Sequence, residues 1–330
     1  MSNNEKTIGV LGGGAWGTAL AQNAATAGRK TTIWAREEDV VNSINENHEN
    51  SVFLPTIPLS KDLKATSDLK QICQNDILLI VTPAQYVRET LKNINPYISE
   101  GQPIVICSKG IEIESGKLLS TVVAEETPKA ICAIMTGPTF ATEIAHGKPS
   151  AMTLAVKDKD TARELREVLS TKLLRTYITD DVIGVQLGGA VKNVIAIGCG
   201  VAQGLDYGES ARAALVTRGL AEMSRLASAM GANKETLMGM CGIGDLMLTC
   251  SSLQSRNFSL GVLLGQGKTL EDILMSRNSV TEGVHTSKAL MTLAKNNAVE
   301  MPICEAVYKC LNENVPVKDA VQELLDRPLP

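Results

Sequence analysis

The stretch IGVLGGGAWGTALAQNAATAG, Ile8 to Gly28, decides how the rest of the chain reads. An apolar run, IGVL, leads straight into glycines at Gly12, Gly14 and Gly17, and these lead into an alanine-rich segment. Glycines at that spacing are a weak signal alone, because many such matches are simple turns. The context strengthens it: a strand before, a helix after, and a second strand beginning about twenty residues on. Gly12 then permits a tight turn, Gly14 the close approach of a pyrophosphate, and Gly17 the packing of helix on strand. The helix N-terminus adds N–H donors and the positive end of a dipole. The reading is a dinucleotide-binding turn.

Which dinucleotide it holds turns on the end of the second strand, where an acidic residue accepts the ribose 2′-hydroxyl of NAD. Here the strand reads TTIWAR and ends on Arg36, a residue able to hold the 2′-phosphate of NADP. Arg36 also reads as an ordinary surface arginine, and Glu37 and Glu38 stand next to it within reach of a ribose. The expectation is that NADPH/NADP is accepted and preferred, with NADH/NAD use left open.

Outward from that turn, short β-branched runs alternate with helical patterns through the first half. Thr7–Leu11, Thr31–Trp34, Ile77–Val81, Ile104–Cys107, Ala130–Met135 and Met152–Val156 read as strands, with Leu173–Ile178 as an edge strand. Tyr86–Ile94 and Lys117–Glu126 read as helices between them. This alternation predicts a doubly wound, Rossmann-type α/β unit, mostly parallel, with helices on both faces. After about Val182 the strand-like runs stop. Val185–Ala202, Ala211–Met230, Leu260–Leu264, Thr286–Lys295, Ile303–Asn312 and Val317–Leu325 carry helical periodicity, punctuated by Gly204, Gly231, Gly267, Pro302 and Pro316. The expected division is a dinucleotide-binding domain over 1–183 and an all-α domain over 184–330.

Composition narrows the class of function. The 330 residues are 44% apolar and 21% charged, with a net charge of -4 and no basic block, which argues against nucleic acid or an anionic membrane as the main partner. The eight cysteines form no CxxC pair and read as small buried residues in a reducing compartment; no metal site is expected. Neither a signal-peptide core nor a clean transmembrane run is read, since Lys192 and glycines interrupt the most apolar stretch, so a cytoplasmic location is expected.

The ionisable residues that stand out are few. His48, His146 and His285 sit in no motif that connects to hydride transfer. Lys192 shares a helical face with Val185, Gly188, Gly189, Ile195, Ala196 and Cys199, so one amine breaks an apolar stripe. Burial would lower its pKa and make it a proton donor near neutrality; a snorkelling lysine fits the same periodicity. Lys109 lies just past the carboxyl end of its strand, the edge at which parallel sheets bind ligands. Asp245, in CGIGDLMLTC (Cys241–Cys250), follows two glycines and can bond an amine or hydroxyl. Ser255, Arg256 and Asn257 open a helix, a place suited to phosphate. Each has a plainer reading: surface charge for Lys109, turn residue for Asp245, helix cap for Ser255.

Taken in order along nearly the whole chain, GGGAWGTALA, SKGIE, GPTFATEIAHGKPSA, GAVKNVIAIGCGVAQGL, ARAALVTRGLAEM, GIGDLMLTCSSLQSRN and VTEGV resemble the bacterial-type, NAD(P)-dependent glycerol-3-phosphate dehydrogenase family. The resemblance implies cofactor contacts at Gly12, Gly14, Ala15, Trp16, Gly17, Arg36, Lys109, Ala141, Arg256, Val280 and Glu282. It implies substrate contacts at Lys109, Gly137, Thr139, Lys192, Asp245, Ser255, Arg256 and Asn257, with Lys192 in the proton-transfer role. Ala15 and Thr139 stand where many members have serine; the first loses a hydroxyl and the second keeps one. The implied reaction is reduction of dihydroxyacetone phosphate to sn-glycerol 3-phosphate by a homodimer serving phospholipid synthesis. Two other readings compete. A 3-hydroxyacid or 6-phosphogluconate type of dehydrogenase would put a carboxylate at Arg256, and a cofactor-sensing module would need neither Lys192 nor Asp245.

Overall fold

The computed structural model describes residues 6–277 and 280–328. The chain forms two compact units. The first runs to Ser108 and resumes over Leu119–Val182, while the second holds Lys109–Leu118 and the chain from Ile183 onward.

Eight strands build the first unit: β1 (Ile8–Leu11), β2 (Thr31–Trp34), β3 (Lys64–Thr66), β4 (Ile77–Ile80), β5 (Pro103–Ile106), β6 (Ile131–Thr136), β7 (Ser150–Val156) and β8 (Leu174–Thr179). They lie in the order β3-β2-β1-β4-β5-β6-β7-β8, parallel throughout except where β7 runs against β6. All four residues of β1 and of β4 are buried, as the unbroken apolar runs IGVL and ILLI require of central parallel strands. The chain leaves β1 toward β2 and β3, then returns to place β4 on the other side of β1, with Leu11 level with both Trp34 and Ile80. That reversal puts the switch point of the sheet at the carboxyl end of β1, where ligands bind in open α/β sheets.

Every strand expected from the sequence is present to within a residue or two, including the edge strand β8, whose Leu174 and Thr176 are buried while Arg175 and Tyr177 face out. The strand missed is β3. It spans only KAT, with Lys64 exposed at the sheet edge, and three residues carry too little periodicity to read.

The second unit is helical. Its long helices are Val182–Gly204, Gly208–Ala229, Arg256–Gly265, Glu282–Asn296, Pro302–Asn312 and Val317–Leu325, of which Val182 alone belongs to the first unit. Expected helices lie inside observed ones in nearly every case. The exception in this unit is Met230, one residue past the end of the helix Gly208–Ala229; Leu260–Leu264 falls within a helix that begins earlier, at Arg256. The helix Val182–Gly204 is long and apolar enough to cross a membrane by length and composition, but 89% of its apolar window is buried inside the protein. It is the central core element, with Val191, Val194 and Ile195 packed among Met223, Leu226, Phe258 and Leu290. Its neighbour, the helix Arg256–Gly265, approaches to backbone contact. A Cβ on Gly200 would fall 2.1 Å from the carbonyl oxygen of Phe258, and one on Gly261 would fall 2.1 Å from that of Ile197.

Candidate active site

Two constellations carry chemistry, one in each unit. In the first, β1 runs into the turn Gly12–Gly14 and then into the helix Ala15–Thr26. Gly12 sits at φ +133°, a conformation L side chains rarely adopt, and a Cβ on Gly17 would fall 1.9 Å from the Gly12 carbonyl oxygen. Gly14 is the residue before the helix and offers no side-chain cap, and a Cβ there would meet nothing within 4 Å. The N–H groups of the first helical turn, starting at Ala15 and Trp16, have no intrahelical partner by geometry. The Trp16 indole Nε1 is buried without a hydrogen-bond partner. An anion-binding backbone cradle with open space beside it and an unmet buried donor fits the pyrophosphate of a dinucleotide.

Arg36 stands just past β2. Its side chain is exposed, and its guanidinium pairs with Glu37 at 3.0 Å. Gly137 follows β6 and packs so closely that a Cβ would lie 2.8 Å from the Met152 Cα; the Thr139 hydroxyl donates to the Gly137 carbonyl at 3.4 Å, and Ala141 opens the helix Ala141–Ala145.

The second constellation is made of side chains. Lys192, 5% exposed in the middle of the helix Val182–Gly204, donates from Nζ to Asp245 Oδ1 and, at 2.7 Å, to Thr249 Oγ1. Asp245 is fully buried, and its Oδ2 accepts from Lys109 Nζ at 2.8 Å. The Thr249 hydroxyl donates in turn to the Asp245 backbone carbonyl at 2.6 Å. Asp245 opens the short helix Asp245–Cys250 after a π-type turn over Met240–Gly244, rather than lying in a tight loop; with Thr249 one helical turn on, both face Lys192. Burial pulls the Lys192 ammonium down to about 8; the Asp245 carboxylate opposes that fall and the charge of Lys109 adds to it. Snorkelling is excluded, because the amine itself is enclosed.

Around this cluster the segment Ser255–Asn257 opens the helix Arg256–Gly265. Ser255 is the cap: its Oγ accepts from the Phe258 N–H at 3.2 Å. Asn257 is buried and spent on protein contacts, donating to Asn193 Oδ1 at 2.9 Å and accepting from the Gly283 N–H at 2.9 Å. Glu282 is the first residue of the helix Glu282–Asn296, and its charge supports that of Arg256, whose guanidinium burial pulls down. Val280 is exposed just before that helix. An apolar cavity of about 400 Å³ also lies in this unit, among Ile197, Val201, Leu215, Val307 and Val321, and it includes none of Lys109, Lys192 or Asp245.

Sequence reading missed Thr249, Asn193 and Arg277. Thr249 holds the Lys192 amine, and the i, i+4 spacing from Asp245 was its available signal. Arg277 donates to the Arg256 carbonyl at 2.6 Å and to Ser259 Oγ at 3.0 Å, fastening the first turn of that helix; nothing in its local sequence announces this.

A nucleotide-binding sheet of this strand order, joined in one chain to a helical unit with a buried, charge-compensated lysine, defines a dinucleotide-dependent oxidoreductase. Residues 7–162 match the N-terminal part, and residues 181–322 the C-terminal part, of NAD-dependent glycerol-3-phosphate dehydrogenase. The chain is 52% identical to the glycerol-3-phosphate dehydrogenase (NAD(P)+) of Parvibaculum lavamentivorans, over 98% of this chain and 97% of that protein, and 50% identical, with the same coverage, to that of Maricaulis maris. The crystal structure of glycerol-3-phosphate dehydrogenase from Coxiella burnetii superposes with a TM-score of 0.94 at 39% identity, covering 98% of this chain and 99% of that one. The chain belongs to the NAD(P)-dependent glycerol-3-phosphate dehydrogenase family.

Proposed function

We infer that this enzyme reduces dihydroxyacetone phosphate to sn-glycerol 3-phosphate, reversibly, with NADPH or NADH. The observation that carries the reading is the enclosed contact of Lys192 with Asp245 and Thr249. An ammonium has three donors, and here two are taken, one by a carboxylate and one by a hydroxyl. The third remains for the substrate carbonyl oxygen. A bound reduced nicotinamide supplies the hydride. Lys192 polarises the carbonyl and gives up its proton as negative charge develops on the oxygen. With a pKa of about 8 it is charged at neutral pH and still a competent acid. Asp245 and Thr249 fix the amine in place, and Lys109 shares the carboxylate on its other oxygen.

We assign nucleotide binding to the first unit, through Gly12, Gly14, Ala15, Trp16, Gly17 and Ala141, with Arg36 favouring the 2′-phosphate of NADP. Substrate phosphate is assigned to the start of the helix Arg256–Gly265, where backbone N–H groups and Arg256 offer positive charge, with Ser255 and Asn257 setting the turn. Gly137 and Thr139 complete the substrate contacts, and Lys109, Arg256, Val280 and Glu282 the cofactor contacts. We also propose a cytoplasmic homodimer whose product supplies phospholipid synthesis. Light scattering tests the assembly against a chain mass of 35.2 kDa. The reaction is tested by the loss of reduced-nicotinamide absorbance with dihydroxyacetone phosphate and, in parallel, with dihydroxyacetone. Turnover of the first and near-silence with the second is expected; equal rates, or none with either, would reject the assignment.

A further inference from the structure

The glycine turn is held from behind by a side chain that no motif marks. Asn50 is fully buried in the irregular segment between β2 and β3. Its Nδ2 donates at 2.8 Å to the Gly13 carbonyl and at 2.8 Å to Thr18 Oγ1, on the second turn of the helix that the glycines open. Its Oδ1 accepts from the Phe53 N–H at 3.1 Å, and the Asn50 carbonyl accepts from Leu54 at 2.9 Å. The amide's orientation is fixed by chemistry, because a carbonyl such as that of Gly13 can only accept.

We propose that Asn50 is the positioning residue of the pyrophosphate cradle, setting the plane of the Gly13–Gly14 peptide. The reason is elementary. In a trans peptide the C=O and the following N–H point in opposite directions, and no cis bond is present among the described residues. Drawing the Gly13 carbonyl inward onto Asn50 therefore turns the Gly14 N–H the opposite way, away from Asn50. Glycine makes the turn possible, but it also leaves the peptide plane loose, since glycine adopts many backbone conformations at little cost. Asn50 removes that freedom before the ligand arrives, which lowers the ordering cost of binding. Stiffening the turn with a side chain at Gly13 is not open to the protein, because a Cβ there would lie 2.5 Å from that of Ala35. Thr18 completes the bracket: its Oγ1 accepts from the same amide and donates, at 3.3 Å, to the same Gly13 carbonyl.

This inference rests on the reading that the turn holds the dinucleotide, and the two fail differently. Titration calorimetry with NADP on the full-length protein is the measurement. Wild type failing to bind NADP would sink the cofactor reading itself. With wild type binding, Asn50→Ala should weaken NADP about tenfold or more, as expected for a buried acceptor that loses its shorter donor and keeps only Thr18 Oγ1 at 3.3 Å. Its KM for NADPH should rise in step while kcat at saturating cofactor stays near wild type. A folded Asn50→Ala protein with NADP affinity within twofold of wild type overturns the proposal. If that variant fails to fold, Asn50→Asp decides: a protonated carboxyl can donate to Gly13 and an ionised one cannot. Its NADP affinity relative to wild type should then recover as pH is lowered, and a ratio flat with pH overturns the proposal.

Discussion

At the glycine turn the groups offered to a ligand are backbone N–H groups, whereas at Lys192 they are side chains gathered from positions 109, 192, 245 and 249. The first is part-buried and built without ionised side chains; the second buries a carboxylate between two ammonium groups. The backbone donors of such a site can be hydrated while it is empty, which leaves the buried Trp16 Nε1 as its unmet group. The side-chain site cannot be left half-made, since a buried charge deprived of its partner costs far more than the pair contributes when intact. The cofactor site should thus tolerate changes to exposed side chains but not to glycine, and changes in the lysine site should cost activity at Lys192 and stability at Asp245.

The contrast can be broken most sharply at Lys192. Lys192→Ala should lower the rate of dihydroxyacetone phosphate reduction by about 10² to 10⁴, while the protein still folds, because Asp245 keeps Lys109. In the wild type, reduction should fall as pH rises through about 8 and the reverse oxidation should rise through the same value, since one direction needs the ammonium and the other the free amine. A pH-independent rate, or a variant with near-native turnover, would remove Lys192 from the proton transfer.

Asp245→Asn should be the most damaging change to stability, by about 3–5 kcal/mol in chemical denaturation, because the enclosed Lys192 ammonium and the part-buried Lys109 lose their counter-charge. Any active fraction should show its reduction limb moved to lower pH, since the carboxylate is what holds the Lys192 pKa up. Gly17→Ala should cost less, about 1–3 kcal/mol of overpacking, and NADP should bind poorly because the helix is pushed off Gly12. Arg36→Ala should be the mildest. Its side chain is exposed and already shares Glu37, so a few-fold loss in NADPH selectivity, measured as kcat/KM against NADH, is expected from a solvent-screened contact. A large loss of NADH use in that variant would mean that Arg36 touches more than the 2′-phosphate.

The same difference governs what could be read from the residues. The glycine turn is local, so its spacing, its strand and its helix lie within one quoted stretch. Parallel strands such as β1 and β4 are equally plain, because burial on both faces leaves continuous apolar runs. The Lys192 cluster spans residues 109 to 249, and periodicity alone left its amine either buried or snorkelling. Family resemblance placed Lys109 and Asp245 beside it, but Thr249 and Asn50 each act through contacts that no local pattern encodes. The segment Lys109–Leu118 illustrates the limit. It follows directly on the sheet strand β5 yet belongs to the helical unit, carrying Lys109 to Asp245.

The glycine-to-backbone contact between the helices Val182–Gly204 and Arg256–Gly265 bears on how the protein is made. During synthesis the first of these leaves the ribosome as 23 largely apolar residues, while the partner that fits against Gly200 is still some fifty residues from being translated. At about 5–20 residues per second, that interval lasts seconds. For that time the nascent chain carries a segment with the length and apolarity of a membrane span whose packing partner does not yet exist. The arrival of Gly261 supplies that partner.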